Sequence, residues 1–389
     1  MTTSAAAEPP LARRPLRVLQ MIDSIGVGGA ERLVARLATL DEPTIDVTVV
    51  TLRPSTDDVV AADLRAAGKP ALTFPMTTCD ATSSSWRGSA PLQMIRLIRF
   101  VRNGRFDVIH THLNASDMIG AAVGRVCRVP VVSTQHTVGR NVSHRLRRRI
   151  RRLTLRRIAE VVAVGHTVAE EQRSALGELP VTVIPNPAPP AQVPVPRAAM
   201  RRQLQVAPDG PLLVAAGRLE PPKDHLCMVE AMASVVTAHP DAVLLMLGSG
   251  SCGEAIASRV RALGLGGSVR LLGLRDDVAD VLGAADLFIS SSAWEGMPLS
   301  ILEAMSAGLP VVATDVGDCR ALLGDTGVIV PPRTPVALAQ AISSLLDDPE
   351  RAAELGRAAR QRALTDYGLD QWVRSLVAVY RRVASAPTP

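Results

Sequence analysis

The stretch Trp294 to Gly317, WEGMPLSILEAMSAGLPVVATDVG, reads as strand end, tight turn, helix, turn and strand. Glu295 closes the preceding strand, and Gly296 lets the backbone turn. Pro298 suits the start of a helix, where its missing N–H has no partner to lose. Ser300 to Ala307 are mostly good helix formers. Gly308 is a helix stop, Pro310 follows it, and Val311 and Val312 open a buried strand.

The chemistry lies in the spacing. Glu295 sits just before the helix and Glu303 inside it, so one ligand can meet both carboxylates. Between them lie Gly296, Met297 and Pro298, then the amides of the helix start, including Leu299 and Ser300. Those N–H groups and the helix dipole favour a phosphate or another oxyanion. Carboxylates accept hydrogen bonds from hydroxyls. The composite suits a ligand with both hydroxyls and phosphates, such as a nucleotide sugar.

The tract resembles the signature of the retaining glycosyltransferases of family 4, E-x7-E followed by a G-x-P-V-x-x-[ST] tail, between Glu295 and Thr314. The resemblance implies an α/β chain of GT-B fold. Two Rossmann-like domains face a cleft, and a C-terminal helix crosses back to the N-terminal domain. After Gly317 the chain departs from the family, with Asp318, Cys319 and Arg320 where many relatives carry Gly and a nearby Glu.

The chain has 389 residues, enough for two domains, and its 47% apolar and 21% charged residues are a globular balance. It has no apolar run long enough to span a bilayer, and residues 1–14 read as a disordered tail rather than a signal peptide. Cys79, Cys127, Cys227, Cys252 and Cys319 are scattered without a C-x-x-C pair, which argues against a disulfide framework and a zinc site. A reducing cytoplasm is the expected compartment, with the inner face of the plasma membrane as a further location.

From Leu16 onward, short β-rich runs alternate with helical stretches, which implies parallel sheets. Residues 185–196, PNPAPPAQVPVP, hold six prolines and read as a linker. A second alternation starts at Leu212. The expected organisation is an acceptor domain at 15–187, a linker at 188–196, a nucleotide-sugar donor domain at 197–367 and a returning helix at 368–389. Trp372 and Tyr380 are candidate anchors for that helix.

Gly26, Gly28 and Gly29 occupy the first strand-to-helix loop, IGVGGAER, without the dinucleotide spacing. Gly28, Gly29 and Glu31 match the family's G-G-x-E element, which implies a loop beside the donor phosphates and the acceptor. His110 and His112 are read as following the fourth strand in DVIHTHLNASD. They resemble a metal pair, but no third ligand is in view. By position they are acceptor-side candidates together with Glu31. His136, at the end of the fifth strand, matches the family's cleft histidine, which implies contact with the donor sugar, typically its 6-hydroxyl.

Arg218 and Lys223, in AAGRLEPPKDH, match the family's R-x4-K pair for the donor diphosphate. Two cations there neutralise leaving-group charge. Only two of the 43 basic residues are lysine, so arginine counts carry little information and Lys223 carries more. Gly248 and Gly250 resemble the glycine turn after the second strand of the donor domain, and Arg270 falls in the segment expected to contact the base.

Arg140 to Arg157 hold nine arginines around an apolar stripe of Leu146, Ile150 and Leu153. Such a helix suits an anionic membrane surface. A nucleic-acid role is not expected, because aromatics are 2% of the chain and no stacking platform is evident.

The expectation is therefore a metal-independent retaining glycosyltransferase without a cofactor. Its donor is a nucleoside diphosphate sugar, uridine favoured over guanosine, and its acceptor is a hydroxyl, on a lipid-linked or cell-surface glycan. The alternatives are a nucleotide-sugar epimerase of the same fold and a non-catalytic nucleotide-sugar-binding protein.

Overall fold

The strands are short and rich in Val, Ile and Leu, and most are buried on both faces, as parallel strands covered by helices must be. The computed structural model describes residues 14–26, 28–54, 59–74, 90–137, 154, 157–177, 179–190 and 195–386. The basic stretch 140–157 lies outside them except for 154 and 157.

The first sheet holds β1 (Leu16–Ile22), β2 (Ile45–Thr51), β3 (Leu72–Thr73), β4 (Val108–His112), β5 (Val131–Gln135), β6 (Glu160–Ala163) and β7 (Val181–Val183). The second holds β8 (Leu212–Ala216), β9 (Val243–Leu247), β10 (Val269–Gly273), β11 (Leu287–Ser290), β12 (Val311–Thr314) and β13 (Val328–Val330). Every pairing is parallel.

The order β3-β2-β1-β4-β5-β6-β7 reverses between β1 and β4, and the order β10-β9-β8-β11-β12-β13 reverses between β8 and β11. Ligands of such sheets bind outside the carboxyl ends of the strands at the reversal. The Gly28–Gly29 loop follows β1, Arg218 and Lys223 follow β8, and Glu295 follows β11. The carboxyl ends of the two sheets face one another across a cleft.

The helix Leu369–Ser385 returns to the first sheet. Val373, Leu376, Val377, Tyr380 and Val383 recur at helical spacing and pack with Val18, Ile22, Val34, Val108 and Val132. Burying each large side chain is worth about 1.5–3 kcal/mol. Arg382 adds a bidentate ion pair to the buried Glu160. Tyr380 is fully buried, and Trp372 packs at the cluster's edge. Among the described residues, no helix is long and apolar enough to cross a membrane.

Candidate functional site

On the second sheet, Gly217 follows the end of β8 and the chain then makes a short 3-10 turn over Pro221–Lys223. Gly248 lies against the Gly217 carbonyl at φ 135°, where a Cβ has no room, and Gly250 meets Leu219 in the same way. The turn is fastened by Ser291, whose hydroxyl donates to the carbonyls of Lys223 at 2.9 Å and Asp224 at 3.0 Å. Lys223 Nζ then reaches Glu295 Oε1 at 2.5 Å. The same oxygen accepts from Ser292 Oγ at 2.7 Å, and Thr314 Oγ1 donates to the Ser292 carbonyl at 2.6 Å. A largely buried ion pair is tolerated when its remaining lone pairs are satisfied in this way. Arg218 is exposed beside this loop.

The helix Leu299–Ser306 starts behind Pro298, and no side chain caps its first amides. The helix Gly29–Thr39 starts behind Gly28, likewise without a side-chain cap bond. A Cβ added to Gly29 would lie 3.0 Å from Leu299 Cδ1, so the two helix N-termini converge from opposite sheets. Each brings the positive end of a helix dipole to the same space. Arg32 Nη1 crosses the gap to Glu303 Oε1 at 3.2 Å. Burial raises the Glu303 carboxyl above its usual range, against the pull of the Arg32, Arg36 and Lys223 charges.

The backbones close on one another around this point. Gly296 sits against the His136 carbonyl, and Gly317, at φ 54°, sits against the carbonyls of Glu295 and Gly296. Asn186 Nδ2 donates to the Met297 carbonyl at 3.0 Å. Asp318, from beyond Gly317, accepts the N–H groups of His166 and Thr167 at the start of the helix His166–Leu176.

On the first sheet, Gln20 pairs in register with His110, and His112 with Thr134. Side chains two residues apart share a face, so Gln20, His110, His112, Thr134 and His136 line one side of the sheet. His112 Nδ1 and His136 Nε2 are 3.1 Å apart, and His112 Nε2 meets Gln20 Oε1 at 2.5 Å. Burial holds His110 at about 3, His136 at about 4 and His112 well below its ordinary value, so all three are neutral near pH 7. Among the described residues, no group of three or more His, Cys, Asp or Glu is placed to hold a metal ion.

The structure brings Gly28, Gly29, His136, Lys223, Glu295, Gly296, Met297, Leu299 and Glu303 together. It corrects two readings, those of the histidine pair and of Arg270. Strand β4 runs on to His112, so His110 and His112 lie within it, 1% and 5% exposed, beneath the cleft rather than on an acceptor surface. The Glu31 carboxylate folds back onto Gly28, where a Cβ would collide with it. Arg270 sits near the amino end of β10, and its guanidinium donates to the carbonyls of Leu204 and Gln205 at 3.1 Å. The carboxyl end of β10 is nearer the cleft: the Gly273 carbonyl accepts from Gly248 N at 2.7 Å, followed by the exposed Leu274.

Several residues were not singled out from sequence. The serine run before Trp294 is the one legible signal, giving Ser291 and Ser292. Gln20, Arg32 and Asn186 have partners at least 90 residues away, and no local pattern marks them.

Two family models match the chain, one described as Glycosyltransferase Family 4 over residues 27–192 and one as glycosyl transferases group 1 over residues 210–348. The chain is 31% identical over 304 residues to a D-inositol 3-phosphate glycosyltransferase of Thermobispora bispora, covering 71% of each chain. It is 27% identical over 250 residues to the Escherichia coli UDP-Gal:alpha-D-GlcNAc-diphosphoundecaprenol alpha-1,3-galactosyltransferase, covering 59% of this chain and 63% of that one. The fold is similar to that of Anabaena HepE, solved in complex with UDP and glucose, at a TM-score of 0.81 and 21% identity, over 94% of this chain and 100% of that one. By these likenesses and by its two facing parallel sheets, the chain belongs to the GT4/GT-B glycosyltransferases.

Proposed function

We propose that the chain transfers a sugar from a nucleoside diphosphate donor, uridine favoured, to a hydroxyl acceptor, keeping the anomeric configuration and using no divalent metal. The observation that carries the reading is the meeting of Lys223, two helix N-termini, Glu295 and Glu303 in one cleft. Cations and amides there suit a diphosphate, and carboxylates suit hydroxyls. The relatives named for UDP-Gal and solved with UDP support a uridine donor.

Glu303 takes the ribose hydroxyls on Oε2, since Arg32 already occupies Oε1. Glu295, braced by Ser292, takes hydroxyls of the donor sugar. Lys223 exchanges its contact with Glu295 for the diphosphate. In the reaction the bond from the anomeric carbon to the phosphate oxygen breaks, and its electron pair stays on the diphosphate. Lys223, Arg218 and the amides of Leu299 and Ser300 stabilise that charge. The acceptor oxygen bonds to the anomeric carbon on the same face and passes its proton to a phosphate oxygen, so no protein base is required.

The acceptor we infer is lipid-linked, as the name of the galactosyltransferase relative states for that enzyme, with residues 140–157 resting on an anionic membrane. The test is ligand-observed NMR against uridine, guanosine and adenosine diphosphate sugars, followed by NMR of the transfer product. Failure to bind any of them, or an inverted product, refutes the reading.

A further inference from the structure

The ring network beneath His136 is larger than a sugar contact requires. It extends from the cleft through His112 and Gln20 to His110 and Tyr380, on the returning helix, and every member below His136 is buried. The hydrogen-bond directions can be followed from its far end. Gln20 Nε2, which only donates, lies 3.1 Å from both His110 Nδ1 and the Tyr380 oxygen, so His110 Nδ1 is an acceptor and the Tyr380 hydroxyl, 2.7 Å from it, is placed to donate to it as well. His110 Nε2 is then the protonated nitrogen, facing Thr134 Oγ1 at 2.7 Å. With its amide nitrogen turned to Tyr380 and His110, Gln20 presents Oε1 to His112. An amide oxygen only accepts, so His112 Nε2 carries the proton. In a neutral ring the other nitrogen is bare, so His112 Nδ1 accepts from His136 Nε2–H.

We infer that Gln20 is a positioning residue that acts through His112 to hold His136 as its Nε2-protonated tautomer, leaving Nδ1 as a bare hydrogen-bond acceptor for the ligand. The described residues offer His136 Nδ1 no hydrogen-bond partner. Burial keeps all three rings uncharged, so the tautomers are set by hydrogen bonds and not by titration. An acceptor nitrogen recognises a group that donates. The sugar must therefore offer a hydroxyl at this point, and a carboxylate there would place lone pairs against a lone pair. This specificity corollary rests on the proposed donor site; the tautomer does not.

The test uses the full chain labelled with 15N at its seven histidines. Long-range 1H–15N correlation separates protonated from bare ring nitrogens, and His136→Gln assigns the signal. The expected spectrum shows His112 and His136 both protonated at Nε2. A proton on Nδ1 of either ring overturns the inference, and the wild-type spectrum decides this without any variant. Gln20→Met should leave His136 as a tautomer mixture, whereas Gln20→Glu keeps an accepting oxygen and should restore the single form. An unchanged His136 in Gln20→Met also overturns it. Calorimetry with UDP-glucose and UDP-glucuronate, which differ only at C6, reads the corollary. The glucuronate should bind roughly tenfold or more weakly, the equivalent of one lost hydrogen bond. Equal binding removes the corollary. Binding of neither, with the expected tautomers, removes glucosyl and glucuronyl donors from the proposed site and leaves the role of Gln20 intact.

Discussion

Asp318 supplies a helix cap from the opposite sheet, and its removal should be felt at two particular amides. The helix His166–Leu176 begins behind Gly165, which has no side chain to cap it. The Asp318 carboxylate, in a residue 6% exposed, takes over by accepting from His166 N and from Thr167 N, the latter at 2.8 Å. A helix cap is worth about 0.5–2 kcal/mol, and hydrogen bonds to a charged group about 1.5–3 kcal/mol each. Asp318→Ala strands two amides, though water entering the gap recovers part of the loss. A net weakening of about 2–3 kcal/mol corresponds to about 30- to 150-fold faster opening. Native-state hydrogen exchange, read by mass spectrometry on peptides covering residues 165–172, should show that acceleration. Peptides from β1 and β8 should be unaffected. Asp318→Asn keeps an accepting oxygen without the charge and should lose about half as much in free energy. If Asp318→Ala exchanges at the wild-type rate in 165–172, the cap does not form in solution and the clasp between the two sheets is not there.

Lys223→Ala should lower kcat by roughly 100-fold, because charge on the diphosphate grows toward the transition state, whereas Glu303→Gln should mainly raise the donor KM. Donor-saturation kinetics on both variants checks this, and a Lys223→Ala effect confined to KM contradicts the assignment. Acid should destabilise the fold early. His136 and His225 titrate at about 4 and His110 at about 3, all held down by burial, whereas an unfolded histidine titrates near 6.5. Between those values the unfolded chain binds more protons, so stability is full above pH 6.5 and falls with pH by about 1.4 kcal/mol per unit for each histidine. Denaturant melts from pH 7 to 5 read the slope, and a flat profile contradicts the burial of these rings. EDTA should leave the transfer rate unchanged, and a loss restored by manganese would overturn metal independence. Vesicles of anionic lipid should float the chain at low salt and release it at high salt through 140–157, and equal, negligible flotation at both would remove that contact.

The second sheet was largely legible because its information is local. A glycine, a proline and a Val-Val pair mark the turns around Leu299–Ser306, and a lone lysine among arginines marks Lys223. The network under His136 was half legible. The His-x-His alternation places two rings on one face, but reading the strand as ending before them turned buried rings into rim residues. Arg270 failed for a related reason: strand membership says nothing about which end faces the cleft, and only the sheet order supplies that. Asn186 and Asp318 were out of reach because each finds its partner across the cleft, where neither spacing nor composition leaves a trace. The departure at Asp318 was visible as an odd residue after Gly317, and its use as a cap was not.

The contact between Gln20 and Tyr380 joins residues 360 positions apart. On the ribosome, β1 emerges early and the helix that covers it emerges only after the whole second sheet has been made. Until then Val18, Ile22, Val108 and Val132 lack part of the cover that the helix gives them. Domains are commonly completed in the order of synthesis; here the later half can finish while the earlier half waits. The waiting face is apolar, and closing so long a loop is slow. The same residues that order the ring under the cleft thus make the amino-terminal half of the chain the last to be completed.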